Sequence, residues 1–161
     1  MKSRQWIAAV VLVATCASAA AWQAAPSAEQ CDGIASVPMR QHVTYGEIQS
    51  VFNTRCSNCH VEHGGTPQAD LDLDPGVSWF YLVDQPSSML AGAIRVVPGN
   101  PATSYLFQKV NCAVTDQGLR MPRLRQALPL AEQALIHDWI LAGAPEVEDD
   151  TIFRARFETR G

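Results

Sequence analysis

The pentapeptide Cys56-Ser57-Asn58-Cys59-His60 constrains this chain more than any other stretch, because C-x-x-C-H is the attachment signature of covalent c-type haem. On a helical turn, positions i, i+3 and i+4 share a face, so Cys56, Cys59 and His60 can address one object. Two thiols at this spacing can capture the vinyl groups of a porphyrin as thioethers, while the adjacent imidazole ligates its iron as the proximal ligand. A C-x-x-C pair also serves as a redox dithiol or as half of a zinc site. The first goes with a thioredoxin-like βαβ pattern and the second with a further ligand pair. Neither accompanies this motif, and His63 alone does not complete a tetrahedral set. The expected cofactor is one covalent haem c.

Attachment of this kind belongs to the secretory side of a membrane, so an export signal is expected. Lys2 and Arg4 form a positive n-region, Trp6 to Val13 an apolar h-region, and Ala17-Ser18-Ala19 or Ala19-Ala20-Ala21 a small-residue cleavage site. A bilayer-spanning helix needs about 20 predominantly apolar residues, more than this run offers. Residues 1–21 therefore read as a cleaved signal peptide, with a periplasmic mature chain and no transmembrane segment after cleavage. A lipid anchor on Cys16 is the competing reading, opposed by the unfavourable approach Val13-Ala14-Thr15. Losing Lys2 and Arg4 leaves 10 basic against 16 acidic residues, a formal charge of −6. That balance argues against nucleic acid or an anionic membrane surface as partner, and leaves redox donor and acceptor proteins open. A length of 161 residues, 47% of them hydrophobic, suits one domain wrapped on a cofactor.

Residues 22–42, rich in Ala, Pro, Ser and Gln, read as an extended lead-in, with structure starting near Val43. Thr44-Tyr45-Gly46-Glu47 is a capping box, and Val43 and Ile48 are spaced for the hydrophobic staple. Ile48, Val51, Phe52 and Arg55 follow at helical spacing, so the helix runs directly into the cysteine motif. Gly64-Gly65-Thr66-Pro67 is a turn cluster that ends it. Asp70, Asp72 and Asp74 alternate with Leu71 and Leu73. As a calcium loop this pattern fails, having Pro75 where the sharp turn requires Gly and Tyr81 where a bidentate Glu belongs. It reads instead as an extended segment with its leucines toward the haem.

Ser78 to Val83 is a bulky apolar run, expected as a short buried helix or turn. Trp79 from this run, and Arg95 from the Pro- and Gly-rich loop Arg95 to Pro101, are candidate contacts for haem propionates. Ala102 to Val110 reads as a helix with Tyr105, Leu106 and Val110 inward. Leu130 to Ala142 reads as the last helix, with Ala131, Leu135, Trp139 and Ala142 on one face and His137 opposite, away from the haem. Gly143-Ala144-Pro145 stops it, and residues 146–161 form a polar tail.

The second axial position points to Met121, in the Pro-flanked loop Gly118-Leu119-Arg120-Met121-Pro122, where a thioether can project from non-helical backbone. Met89, Met39 and His137 compete for that role, and a packing role for Met121 is the plain alternative. Once Cys16 leaves with the signal and two cysteines go to haem, Cys31 and Cys112 remain. In an oxidising compartment they can pair, tying the lead-in to the segment before Met121, or stay reduced.

Cys56-Ser57-Asn58-Cys59-His60, Arg95 to Pro101 with Ser104-Tyr105-Leu106, Arg120-Met121-Pro122, and Ile136 to Ile140 with Gly143-Ala144-Pro145 occur in an order that resembles a class I cytochrome c domain, over Val43 to Pro145. The likeness is to single-haem bacterial cytochrome c-like domains. It implies an all-α cytochrome c fold of few short helices around one haem, first and last helices crossing near its edge. Cys56 and Cys59 would be thioether links, with His60 and Met121 as axial ligands to iron. Two features depart from the pattern: the last helix follows Leu128-Pro129 without a Ser or Thr cap, and the stretch from His63 to Arg95 is long. The implied function is non-enzymatic, single-electron transfer between redox partners. The alternatives are a haem enzyme or gas sensor with an open or labile distal site, and a haem-bearing interaction module or subunit of a redox complex.

Overall fold

A computed structural model describes residues 31–62, 66–113 and 118–147. The expected signal peptide with Cys16, the lead-in as far as residue 30, His63 and the tail from residue 148 lie outside the described residues. The described part is mostly helical: α1 (Tyr45–Arg55), α2 (Ser57–His60), α3 (Ser78–Leu82), α4 (Tyr105–Asn111) and α5 (Leu130–Leu141). Three 3-10 turns accompany them, at Ile34–Ser36, Gln68–Asp70 and Pro101–Thr103. Extended pairing among the described residues is limited to isolated bridges, which agrees with an all-α class. No described helix is long and apolar enough to cross a membrane.

α1 starts where the capping box places it. Thr44 Oγ1 accepts from the Glu47 N–H at 3.1 Å, and Glu47 Oε2 accepts from the Thr44 N–H at 3.0 Å. Val43 and Ile48, the staple pair, are both buried in the core. Ile48, Val51 and Phe52 form the inner stripe. Arg55 instead stands at the surface, forked on Glu132 of α5 at 2.9 and 2.7 Å.

The core lies between α1 and α5, where Ile48 and Phe52 join Ile136, Trp139 and Ile140. The rings of Tyr45 and Trp139 are 5.5 Å apart. α5 spans nearly the expected range, but its inner face is Gln133, Ala134, Ile136, Asp138, Trp139 and Ile140, while Ala131 and Ala142 are exposed. The apolar spacing misled because two polar residues turn inward with partners. Gln133 Nε2 donates to Leu128 O at 2.7 Å, and Asp138 Oδ2 accepts from the Arg40 N–H at 2.7 Å. Gly143, at φ +98°, closes the helix, and the indoles of Trp79 and Trp139 donate to the carbonyls of Ala144 and Pro145, both at 2.9 Å.

Three further expectations need correcting. The helix expected over Ala102 to Val110 is a 3-10 turn followed by α4, since Ser104 is extended and its hydroxyl binds back to Asn100 O at 2.8 Å. In the run Ser78 to Val83, Phe80 and Tyr81 are exposed, because a five-residue helix buries only one side. Order also begins before Val43. Cys31 is disulfide-bonded to Cys112, and the Ile34–Ser36 turn packs on α5.

Candidate functional site

α1 and α2 meet at Cys56, whose backbone departs from ideal helix at φ −116° and ψ −22°. The turn still closes, because the N–H groups of Cys59 and His60 both donate to Cys56 O at 3.1 Å. The motif is thereby presented at the end of α1, as its helical spacing requires. His60 is then held from the far side by the chain that follows. Its Nδ1–H donates to Gln68 O at 2.9 Å, and its carbonyl accepts from the Leu73 N–H at 2.6 Å.

A carbonyl can only accept, so the bond to Gln68 assigns the proton to Nδ1 and leaves the Nε2 lone pair available to a metal. Burial pushes the His60 imidazole below its ordinary range, against backbone hydrogen bonds at Gln68 and Leu71 that act upward. The neutral ring, the form that ligates, is therefore favoured.

His60, Cys56 and Met121 line one cavity, although His60 and Met121 lie 61 residues apart in sequence. Its walls are mainly apolar, with Leu71, Leu73, Leu82, Leu106 and Val110 among them. Leu71 and Leu73 are thus where the alternation put them, although Asp70 stands in the 3-10 turn Gln68–Asp70 at φ +49° and not in the extended segment expected. Among the described residues the charged side chains of the wall are two cations, Arg95 and Lys109. An imidazole and a thioether on one mainly apolar cavity, with Arg95 and Lys109 among its lining residues, suit an apolar group that carries a metal and anionic substituents. Of the groups expected to hold haem, Cys56, His60 and Met121 are on the cavity and fit it by their chemistry.

The cysteines differ. Cys56 is half-buried, and its thiol is pushed up to about 12 by burial, with the Glu132 and Cys59 charges adding to it. Cys59 is exposed and does not line the cavity.

Arg95 is on the wall, its guanidinium held by Tyr81 O at 2.8 Å and by Ala69 O and Asp70 O at 3.1 Å. Trp79 is not. Its indole donor is committed to Ala144 O, and a propionate contact from it would require that bond to open. Of the competing ligands, Met39 is 67% exposed and off the wall, and His137 bonds Asp138 and stacks edge-on against Phe107. Met89 does line the cavity, from a surface turn where its N–H donates to Ser87 Oγ at 3.1 Å.

Two features went unforeseen. Lys109, at a helix position with no apolar signature, is buried with its ammonium on Leu119 O at 2.7 Å; burial lowers its pKa, with the Arg123 charge adding. The second is a polar cluster joining Asp32, Asn111, Arg120 and Gln133. The sequence hint lay in position, since Asp32 follows Cys31, Asn111 precedes Cys112 and Arg120 precedes Met121.

Compared with protein-family models, curated proteins and solved structures, the chain matches none of them.

Proposed function

We propose that this chain is an exported class I c-type cytochrome that carries single electrons between protein partners in the periplasm. One observation carries the reading: the histidine of a C-x-x-C-H motif and a distant loop methionine line the same apolar cavity. Bound there, haem c would supply one reversible ferric/ferrous electron, with no substrate bond made or broken.

The residues of the chain do the rest. Cys56 and Cys59 would hold the porphyrin as thioethers. His60 Nε2, its ring oriented by Gln68 O, and Met121 Sδ would hold the iron. Leu71, Leu73, Leu82 and Val110 exclude water, and a drier site raises the cost of the extra charge on the ferric state. Arg95, on the same wall, favours negative charge on the substituents it faces. No proton-transferring or nucleophilic side chain is required.

The test is the optical spectrum of protein matured with haem-attachment machinery, oxidised and reduced, with and without carbon monoxide, beside Met121→Ala and Met89→Ala. Electron transfer through His/Met ligation predicts covalent low-spin haem that ignores carbon monoxide, a reactive Met121→Ala and an unreactive Met89→Ala. A wild type that binds carbon monoxide makes the protein an enzyme or sensor with an open site. Absence of covalent haem rejects the proposal.

A further inference from the structure

The first described residues reach across the molecule to the loop that carries Met121. Cys31 is joined to Cys112, the residue that caps α4, and the Asp32 N–H donates to Asn111 O at 3.0 Å. Arg120, next to Met121, lays its two terminal nitrogens on the two Asp32 carboxylate oxygens, each at 3.0 Å. Its Nη2 also donates to Asn111 O. Gln133 of α5 donates to Asp32 Oδ2 at 2.7 Å and accepts from Asn111 Nδ2 at 2.9 Å. The Met121 N–H itself donates to Lys109 O at 2.7 Å.

A fork of this kind fixes direction as well as distance, because two parallel bonds forbid the guanidinium to swing. The Asp32 carboxylate is in turn held by α5 and, through its neighbours, by a covalent bond to the end of α4. The backbone of residue 120 is therefore referenced to two helices, and Met121 is one bond further on. Met89, the other thioether on the cavity wall, has no such tether beyond its own turn and the Ser88 hydroxyl on Ala69 O.

We infer that Asp32 is a positioning residue for Met121, acting through Arg120 to keep this thioether, rather than that of Met89 or an external ligand, against the cavity. The inference rests on the proposed haem and on Met121 as its distal ligand. Its physical content is a competition: a loop that samples more conformations presents its sulfur less of the time, and an external ligand gains by that fraction.

The experiment uses the whole exported holoprotein and compares wild type with Asp32→Asn, Arg120→Lys and Thr44→Ala. Four quantities are read: covalent haem content, the long-wavelength sulfur-to-iron band of the ferric form, carbon monoxide binding by the ferrous form, and thermal stability. Asp32→Asn is expected to keep its covalent haem, to lose most of the sulfur-to-iron band and to bind carbon monoxide about tenfold more readily, the scale of one lost charge-assisted interaction. Arg120→Lys, which keeps the charge but cannot fork, moves the same way. If Asp32→Asn does not accumulate, Arg120→Lys is read in its place. Thr44→Ala loses stability at the other end of the fold and leaves band and carbon monoxide binding at wild-type values. Asp32→Asn or Arg120→Lys behaving like Thr44→Ala, less stable but with ligation intact, overturns the inference and leaves the proposed function standing. A wild type without covalent haem, or a sulfur-to-iron band that survives Met121→Ala, overturns the reading beneath it.

Discussion

His60 and Met121 face one cavity, but they are held there by bonds of very different reach. On the His60 side the partners are Gln68 and Leu73, eight and thirteen residues along the chain, preceded by a helix whose start is set within four residues. On the Met121 side one partner is as local, Lys109 O on the Met121 N–H twelve residues back, but the others come from the opposite end: Asp32–Arg120 spans 88 residues and Cys31–Cys112 spans 81. A local restraint forms whenever its helix or turn forms. A distant one must first close a long loop, at an entropic cost that grows with the logarithm of loop length. The two walls should therefore fail separately.

Two effects of similar size should be the largest, and the first comes from the disulfide. Cys31→Ser with Cys112→Ser opens a loop of 81 residues and should cost roughly 4 kcal/mol in chemical denaturation, with the Met121 side loosening first. A cost below about 1 kcal/mol would mean that the long-range contacts hold that wall without it. In α1, the helix that leads into the motif, Phe52→Ala should cost about 3–5 kcal/mol, since the ring is 1% exposed in the core. Hydrogen exchange should show the loosening spread through α1 and the motif rather than the Met121 loop. Thr44→Ala should cost about 1 kcal/mol and fray the first turn of α1, read by circular dichroism and melting.

The smallest effect is acid sensitivity of the Met121 side. Burial works against the Asp32 carboxylate, but the Gln133 and Arg120 hydrogen bonds and the Arg120 charge outweigh it and hold its pKa below the ordinary 3.8. With the folded value depressed, the contribution is present above 3.8 and is lost as pH falls through the folded value. The melting temperature of wild type should therefore fall more steeply below that pH than that of Asp32→Asn. Parallel acid limbs would remove Asp32 from the acid response.

Most of the His60 wall was legible in the sequence. The capping box, the inner stripe of α1, the helical C-x-x-C-H turn and the alternating leucines are all patterns within a few residues, and each occurs where its period predicts. Met121 was legible as a candidate because a Pro-flanked loop methionine is unusual locally. Its rival Met89 ranked lower on the same local ground, and the tether from residue 32 to Arg120 was not visible in the sequence. The face of α5 and the burial of Lys109 were also hidden. Gln133, Asp138 and Lys109 carry no apolar signal, and their burial shows only once Leu128 O, the Arg40 N–H and Leu119 O are brought beside them by the fold.

The chemistry available is written in short stretches of the chain: two thiols and an imidazole on one turn, a helix to carry them, a loop thioether and a further cysteine pair. Which of these meet depends on the packing of the whole chain. That packing put His60 and Met121 on one cavity, turned Trp79 to Ala144, and joined Asp32 to Arg120. Period and propensity are short-range properties that a few residues express. Convergence of distant groups depends on packing the whole chain, and a buried polar side chain is stable only once its partner has arrived.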